Sequence, residues 1–186
     1  PLLVCREASE LRGAVLHPSL PVPDGQPLVW AMNALGGNLT DRVYGPDLMA
    51  RYCERAAANG TRMYLYGGRN QGALVQLALN LRQRYPGVKI VGGYSPPFRD
   101  LSEEEEDAIV AEMNKSKADV IWVGVGAPKQ EKWMATMRDR LDAPVPVGAG
   151  AAFDFHPRPA PPAPPGVPPP GPASPAPLAR SQAEAR

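Results

Sequence analysis

Apolar residues concentrate in four short runs rich in β-branched and aromatic side chains, at 62–66 (RMYLY), 88–91 (VKIV), 120–125 (VIWVGV) and 145–148 (VPVG). Runs of that length and composition predict strands. Between them, apolar positions recur at helical spacing over 47–59, 70–84, 102–115 and 128–141. Strand and helix in strict alternation predict βαβ units, hence an α/β fold with a Rossmann-like parallel sheet and helices on both faces. The helix at 102 opens with Ser102 followed by Glu105, a capping box whose extra glutamates suit the positive helix end. The helix at 128 opens with Pro128, where a missing N–H costs nothing. Ahead of these, the pattern predicts helices over 8–16 and 28–35, and no internal repeat is visible.

Proline sets the domain boundary. Of 24 prolines, 12 fall in residues 157–186. That stretch has no aromatic residue and almost no large aliphatic one, so it cannot bury enough surface to offset its chain entropy, and disorder with polyproline II character is expected there. Residues 1–156 are the expected folded domain. They carry 17 basic and 18 acidic residues. That balance excludes the simplest nucleic-acid reading. Neither a membrane-spanning run nor the layout of a signal peptide is present, which gives the expectation of a cytoplasmic protein. Cys5 and Cys53 are the only cysteines and form no C-x-x-C pair, so two buried or half-buried thiols are expected rather than a disulfide or zinc site.

In an open parallel sheet, ligands bind beyond the carboxyl ends of the strands. One loop there is Gly67-Gly68-Arg69-Asn70-Gln71-Gly72, which leads from a strand into a helix and either holds a phosphate on its N–H groups or only turns the chain. An NAD-type site would need an acidic residue near the end of the next strand, which instead reads Val91-Gly92-Gly93-Tyr94. A nicotinamide cofactor is not expected. A second loop runs from Gly124 through Gly126 to Lys129, Gln130 and Glu131. Lys129 in a first helical turn opposes the dipole and calls for an anionic partner, either a ligand phosphate or Glu131 or Glu103. Gln130 both donates and accepts, which suits sugar hydroxyls. In the turn Pro23-Asp24-Gly25-Gln26-Pro27, Asp24 reads first as an N-cap or Asx-turn residue. Asp154, between Phe153 and Phe155, reads as either a satisfied core carboxylate or a ligand contact.

The chain has no D-x-D pair, no G-x-x-x-x-G-K-[ST] loop and no G-x-S-x-G elbow, and its only histidines are His17 and His156. A His-based triad or multi-histidine metal site is therefore not expected. Five blocks in order carry a resemblance: PDGQPLVW from Pro23, RVYGPDLM from Arg42, YGG from Tyr66, GAPKQEKW from Gly126 and GAAFDF from Gly150. Together they resemble the WecG/TagA/CpsF family of bacterial glycosyltransferases over roughly residues 2–156. The resemblance implies transfer of N-acetylmannosamine or a related hexose, with inversion, from a UDP-sugar to an undecaprenyl-diphosphate-linked saccharide. Such products feed teichoic acid, common antigen or exopolysaccharide.

The resemblance makes Asp24 the general base. Gly67, Gly68, Asn70, Gly124 and Gly126 would face the nucleotide, and Lys129, Gln130, Glu131 and Asp154 complete the expected substrate contacts. No metal ligand and no cofactor are implied, and a peripheral position at the inner membrane face is. Against the family pattern, the chain is expected to start after a Thr-Pro-Asn segment, and residues 157–186 are expected to stand where the family has a tryptophan-containing helix and an arginine-rich appendage. The Pro/Ala/Gly/Arg bias of those residues is that of a GC-rich region read out of frame, giving the expectation of a frameshifted end. It also gives the expectation of self-association through apolar surface around Phe153 and Phe155. The reading from a different class is a catalytically impaired nucleotide-sugar binding module, with a dehydrogenase third.

Overall fold

The computed structural model describes residues 20–154, which belong to the unit Pro1–His156. The expectations for the helix at 8–16, for Cys5, Phe155 and His156, and for the tail lie outside the described residues. The elements follow in the order α1 (Gln26–Ala34), α2 (Gly45–Asn59), β1 (Arg62–Gly67), α3 (Gln71–Arg84), β2 (Lys89–Tyr94), α4 (Glu103–Ser116), β3 (Val120–Gly124), α5 (Lys129–Met137) and β4 (Val145–Gly148). Short 3-10 turns cover Arg138–Arg140 and Gly150–Asp154.

All four strands are parallel, in the order β2-β1-β3-β4. The two central strands bury both faces, which is why their sequences read as continuous apolar runs rather than alternating ones. Met63 and Leu65 of β1, with Val120 and Trp122 of β3, meet α2 and α3 through Met49, Cys53, Leu74 and Leu77. On the other face Tyr64, Tyr66, Ile121 and Val123 meet α4 and α5 through Ile109, Met113, Trp133 and Met137. Helices thus cover both faces, as the alternating pattern predicts. Cys53 is fully buried, and burial pushes its thiol up to about 12, so it is an inert core residue.

The capping box forms as read: Ser102 Oγ accepts from the Glu105 N–H at 3.2 Å, and a Glu105 carboxylate oxygen accepts from the Ser102 N–H at 2.9 Å. Pro128 sits one residue earlier than expected, at the N-cap of α5 rather than inside its first turn. The fourth helical segment also shortens, ending at Met137 and tightening into the 3-10 turn.

The amino ends of β1 and β3 are clamped by one residue pair. Asp119 accepts from Arg62 Nη2 at 2.9 Å, from Nε at 3.2 Å and from the backbone N–H at 2.8 Å. The guanidinium, then the backbone N–H, hold the Asp119 carboxyl down at about 2. A carboxyl depressed in the folded state stabilises the fold above its unfolded value near 4, and that contribution is lost as pH falls through about 2. Asp119→Asn is therefore expected to flatten the acid limb of a melting-temperature profile between about pH 4 and 2. A limb as steep as the wild type's would mean that the clamp contributes nothing.

Candidate functional site

The strand order places a crevice at one point. α3 carries the chain from β1 outward to β2 on one face, and α4 returns it across β1 to β3 on the other. The direction of the sheet reverses between β1 and β3, and in open α/β sheets ligands bind outside the carboxyl ends of such strands. Gly67 and Gly124 are register partners at those ends. The two backbones approach so closely that a Cβ on Gly67 would overlap the Gly124 carbonyl, and Gly67 has φ of +138°. The Gly68 N–H donates to the same carbonyl at 3.0 Å. Asn70 caps α3, its side-chain oxygen accepting from the Ala73 N–H at 2.8 Å, so its NH2 group is what remains for a ligand.

The residues after β4 close one side of the crevice. Phe153 turns inward, its ring lying where a side chain on Gly124 would be and within 3.8 Å of a Cβ built on Gly68. Asp154 then faces outward and pairs with Arg69 at 3.2 Å. The core-carboxylate alternative for Asp154 is thereby overturned, because its side chain is 58% exposed. Lys129 likewise finds neither Glu131 nor Glu103 but Asp100, at 4.0 Å. Exposed pairs of this kind are worth about 0–1 kcal/mol, so a ligand phosphate can compete for either cation.

Gln130 is the one buried polar side chain among the described residues, 9% exposed at the first turn of α5. Gly148 makes room for it: a Cβ there would lie 2.7 Å from Gln130 Nε2 and 2.8 Å from Met134 Cε. Nε2 donates to a carboxylate oxygen of Glu131 at 3.3 Å. Gln130 Oε1 and the second carboxylate oxygen of Glu131 are buried without a hydrogen-bond partner. Gly148→Ala is accordingly expected to push the Gln130 side chain out of place, weakening ligand affinity about tenfold while the fold persists. A ligand titration beside a circular dichroism spectrum checks this, and unchanged affinity would contradict it.

Asp24 does not cap α1. The N-cap is Gly25, which offers no side chain, and Asp24 is exposed, with no partner for its carboxylate among the described residues. The backbone fixes its position: the Val43 N–H donates to the Pro23 carbonyl at 2.8 Å, and two residues later Gly45 opens α2 against Ala149, just past β4. The Asp24 turn is thus tied to the segment that runs to the carboxyl edge of the sheet, though no side-chain contact joins Asp24 to Gln130 or the glycine loops.

Sequence reasoning passed over Ser95, and it gave no role in the site to Arg69 or Phe153. The Ser95 N–H donates to Gln71 Oε1 at 3.0 Å and its hydroxyl to the Gly68 carbonyl at 3.3 Å, linking the loops after β1 and β2. Only Arg69 had a local signal, as the one cation inside a glycine loop that leads into a helix. A groove of about 240 Å³ also lies between α3 and the outer edge of β2, lined by Val75, Leu79, Arg82 and Val91 among others. No helix among the described residues is long and apolar enough to cross a membrane.

Comparison with known proteins places this architecture. The chain is 32% identical over 134 residues to an N-acetylglucosaminyldiphosphoundecaprenol N-acetyl-beta-D-mannosaminyltransferase of Staphylococcus aureus strain MRSA252, covering 72% of this chain and 50% of that protein. It is 31% identical over the same length to the enzyme of that name from strain NCTC 8325 / PS 47, with the same shares covered. The chain therefore spans about half the length of the curated relatives it matches. The profile of one family matches residues 2–167, running past Pro157, and the chain belongs to that family, the glycosyl transferase WecG/TagA/CpsF family.

Proposed function

We propose that the chain is an inverting N-acetylmannosaminyltransferase, moving the sugar from a UDP donor to an N-acetylglucosaminyl diphosphate on a polyprenyl lipid. The observation that carries the reading is the point where the strand order reverses between β1 and β3, whose glycine ends approach closely, with a buried amide whose oxygen has no partner at the start of the following helix. In the proposed reaction Asp24 takes the proton of the acceptor hydroxyl as its oxygen bonds to the anomeric carbon. The bond from that carbon to the diphosphate oxygen breaks on the opposite side, and UDP leaves with the electron pair. Backbone N–H groups that follow Gly68 in its loop, with Arg69 and Lys129, meet the charge that builds on the diphosphate. Asn70, Gly124, Gly126, Gln130, Glu131 and Asp154 line the donor. Because the acceptor is lipid-linked, the protein works at the surface of the membrane.

The test is transfer of labelled N-acetylmannosamine from its UDP derivative to a short-chain polyprenyl diphosphate N-acetylglucosamine. Labelled disaccharide lipid is the expected product, and hydrolysis of donor without it would refute the transferase reading. One observation favours the second reading, a binding module that holds the donor without turnover: no side chain among the described residues orients the Asp24 carboxylate. Donor binding with no product at any acceptor concentration would move that reading ahead.

A further inference from the structure

Two buried acceptors with no donor stand side by side at the start of α5. Gln130 Oε1 and one carboxylate oxygen of Glu131 are both buried and both unpartnered, and Gln130 as a whole is only 9% exposed. A side-chain amide can present either its oxygen or its nitrogen to a cavity, and its neighbours decide which. Here the neighbour is Glu131. A carboxylate only accepts, so it takes the NH2 end of the amide, at 3.3 Å. The oxygen end is then turned toward Gly150, whose Cβ would lie 3.5 Å from it and 3.9 Å from the Cα of Gly126. A Cβ on Gly126 meets nothing within 4 Å, so that glycine borders free space, while the oxygen itself is closed off from solvent and waits for a donor.

We infer that Glu131 is a positioning residue that locks the Gln130 amide with its oxygen toward Gly126 and Gly150, so that this corner of the site accepts a hydrogen bond from a sugar hydroxyl or acetamido N–H and rejects phosphate. The inference rests on the nucleotide-sugar reading and sharpens it. A phosphate oxygen carries no proton to give, and two acceptors would face it. The diphosphate therefore belongs on the Gly67-Gly68 side of the crevice with Arg69, and the sugar ring belongs at Gln130. Glu131 acts on the amide through one carboxylate oxygen, and its second, unpartnered oxygen stands beside Gln130 Oε1 as an acceptor for another donor of the same ring. Without the carboxylate the amide is free to turn, and the corner loses its preference for a donor.

The full chain is titrated calorimetrically with UDP, with UDP-N-acetylmannosamine, and with analogues in which one ring hydroxyl at a time is replaced by fluorine or the acetamido N–H by an ester oxygen. Each change removes one donor and keeps the shape. At least one analogue is expected to bind tenfold or more weakly than the parent, and in Glu131→Gln that gap is expected to fall below threefold. Analogues that all bind as the parent does, or a gap that survives in Glu131→Gln, would overturn the inference and leave the nucleotide-sugar reading standing. Binding of neither UDP nor UDP-sugar would overturn that reading, and this inference with it. Should Glu131→Gln not fold, nitrogen-15 spectra of the wild-type chain decide. One shifted, slowly exchanging side-chain proton on Gln130 supports the lock, and a freely exchanging pair refutes it.

Discussion

Replacing Asp24 by Asn is expected to lower turnover by about 10²–10⁴-fold, the usual range for loss of a positioned general base, while UDP affinity stays within about twofold. The split follows from where Asp24 stands. Its turn is attached through the Pro23 carbonyl to Val43 and so to the start of α2, whereas the glycine loops stand at the β-strand ends and Gln130 in the first turn of α5. The carboxylate engages no other described side chain, so asparagine disturbs no packing and removes only the basic oxygen. Steady-state rates of sugar transfer, measured beside UDP titrations, read both numbers. Equal loss of affinity and rate would place Asp24 in donor binding instead. An unaffected rate would remove it from the chemistry.

Gly67→Ala is expected to be the most damaging single methyl added to the described fold. A Cβ at this position has no room, because the Gly124 carbonyl is backbone of the adjacent strand and cannot rotate away. Its φ of +138° also lies where only glycine is comfortable. Overpacking costs about 1–3 kcal/mol and a forced backbone conformation about 1–3 kcal/mol more, so a loss of about 3 kcal/mol or greater is expected. For a domain of this size that lowers the melting temperature by roughly 6–12 °C. Gly126→Ala is the control. Its φ is +82°, but a Cβ there meets open space, so only the backbone penalty of about 1–2 kcal/mol applies. Thermal unfolding of the two variants should rank them in that order, and equal melting temperatures would contradict the close approach of β1 and β3.

The central strands were legible because burial on both faces leaves little choice of residue: Met63, Tyr64, Leu65 and Tyr66 all point into packed layers. The boundaries that shifted did so where one residue's role depends on a distant one. β2 reads as ending at Val91, since two glycines follow, yet it continues through Gly92 and Gly93 to Tyr94. The ring of Tyr64 explains it, lying where a side chain on Gly92 would be. The glycine is there for the neighbouring strand, and local propensity cannot report that. The loops at the strand ends were legible by the same logic as the strands, because glycines after parallel strands mark close backbone approach. Their partners were not. Lys129 with Asp100, Arg69 with Asp154, and Phe153 over Gly124 each join segments far apart in sequence. The burial of Gln130 was equally hidden, because it depends on the missing side chain of Gly148 on the strand beside it. Asp24 shows the opposite case, a residue whose local reading as a cap was reasonable and failed because Gly25 holds that position.

The central claim is that the donor lies across the carboxyl ends of β1 and β3, and amide hydrogen exchange with and without UDP tests it most directly. Protection is expected in the loop that holds Gly67, Gly68, Arg69 and Asn70 and in the one from Gly124 to Glu131, with the outer side of α3 unchanged. Protection confined instead to Val75, Leu79 and Val91, along the groove at the edge of β2, would contradict the account and move the nucleotide site there.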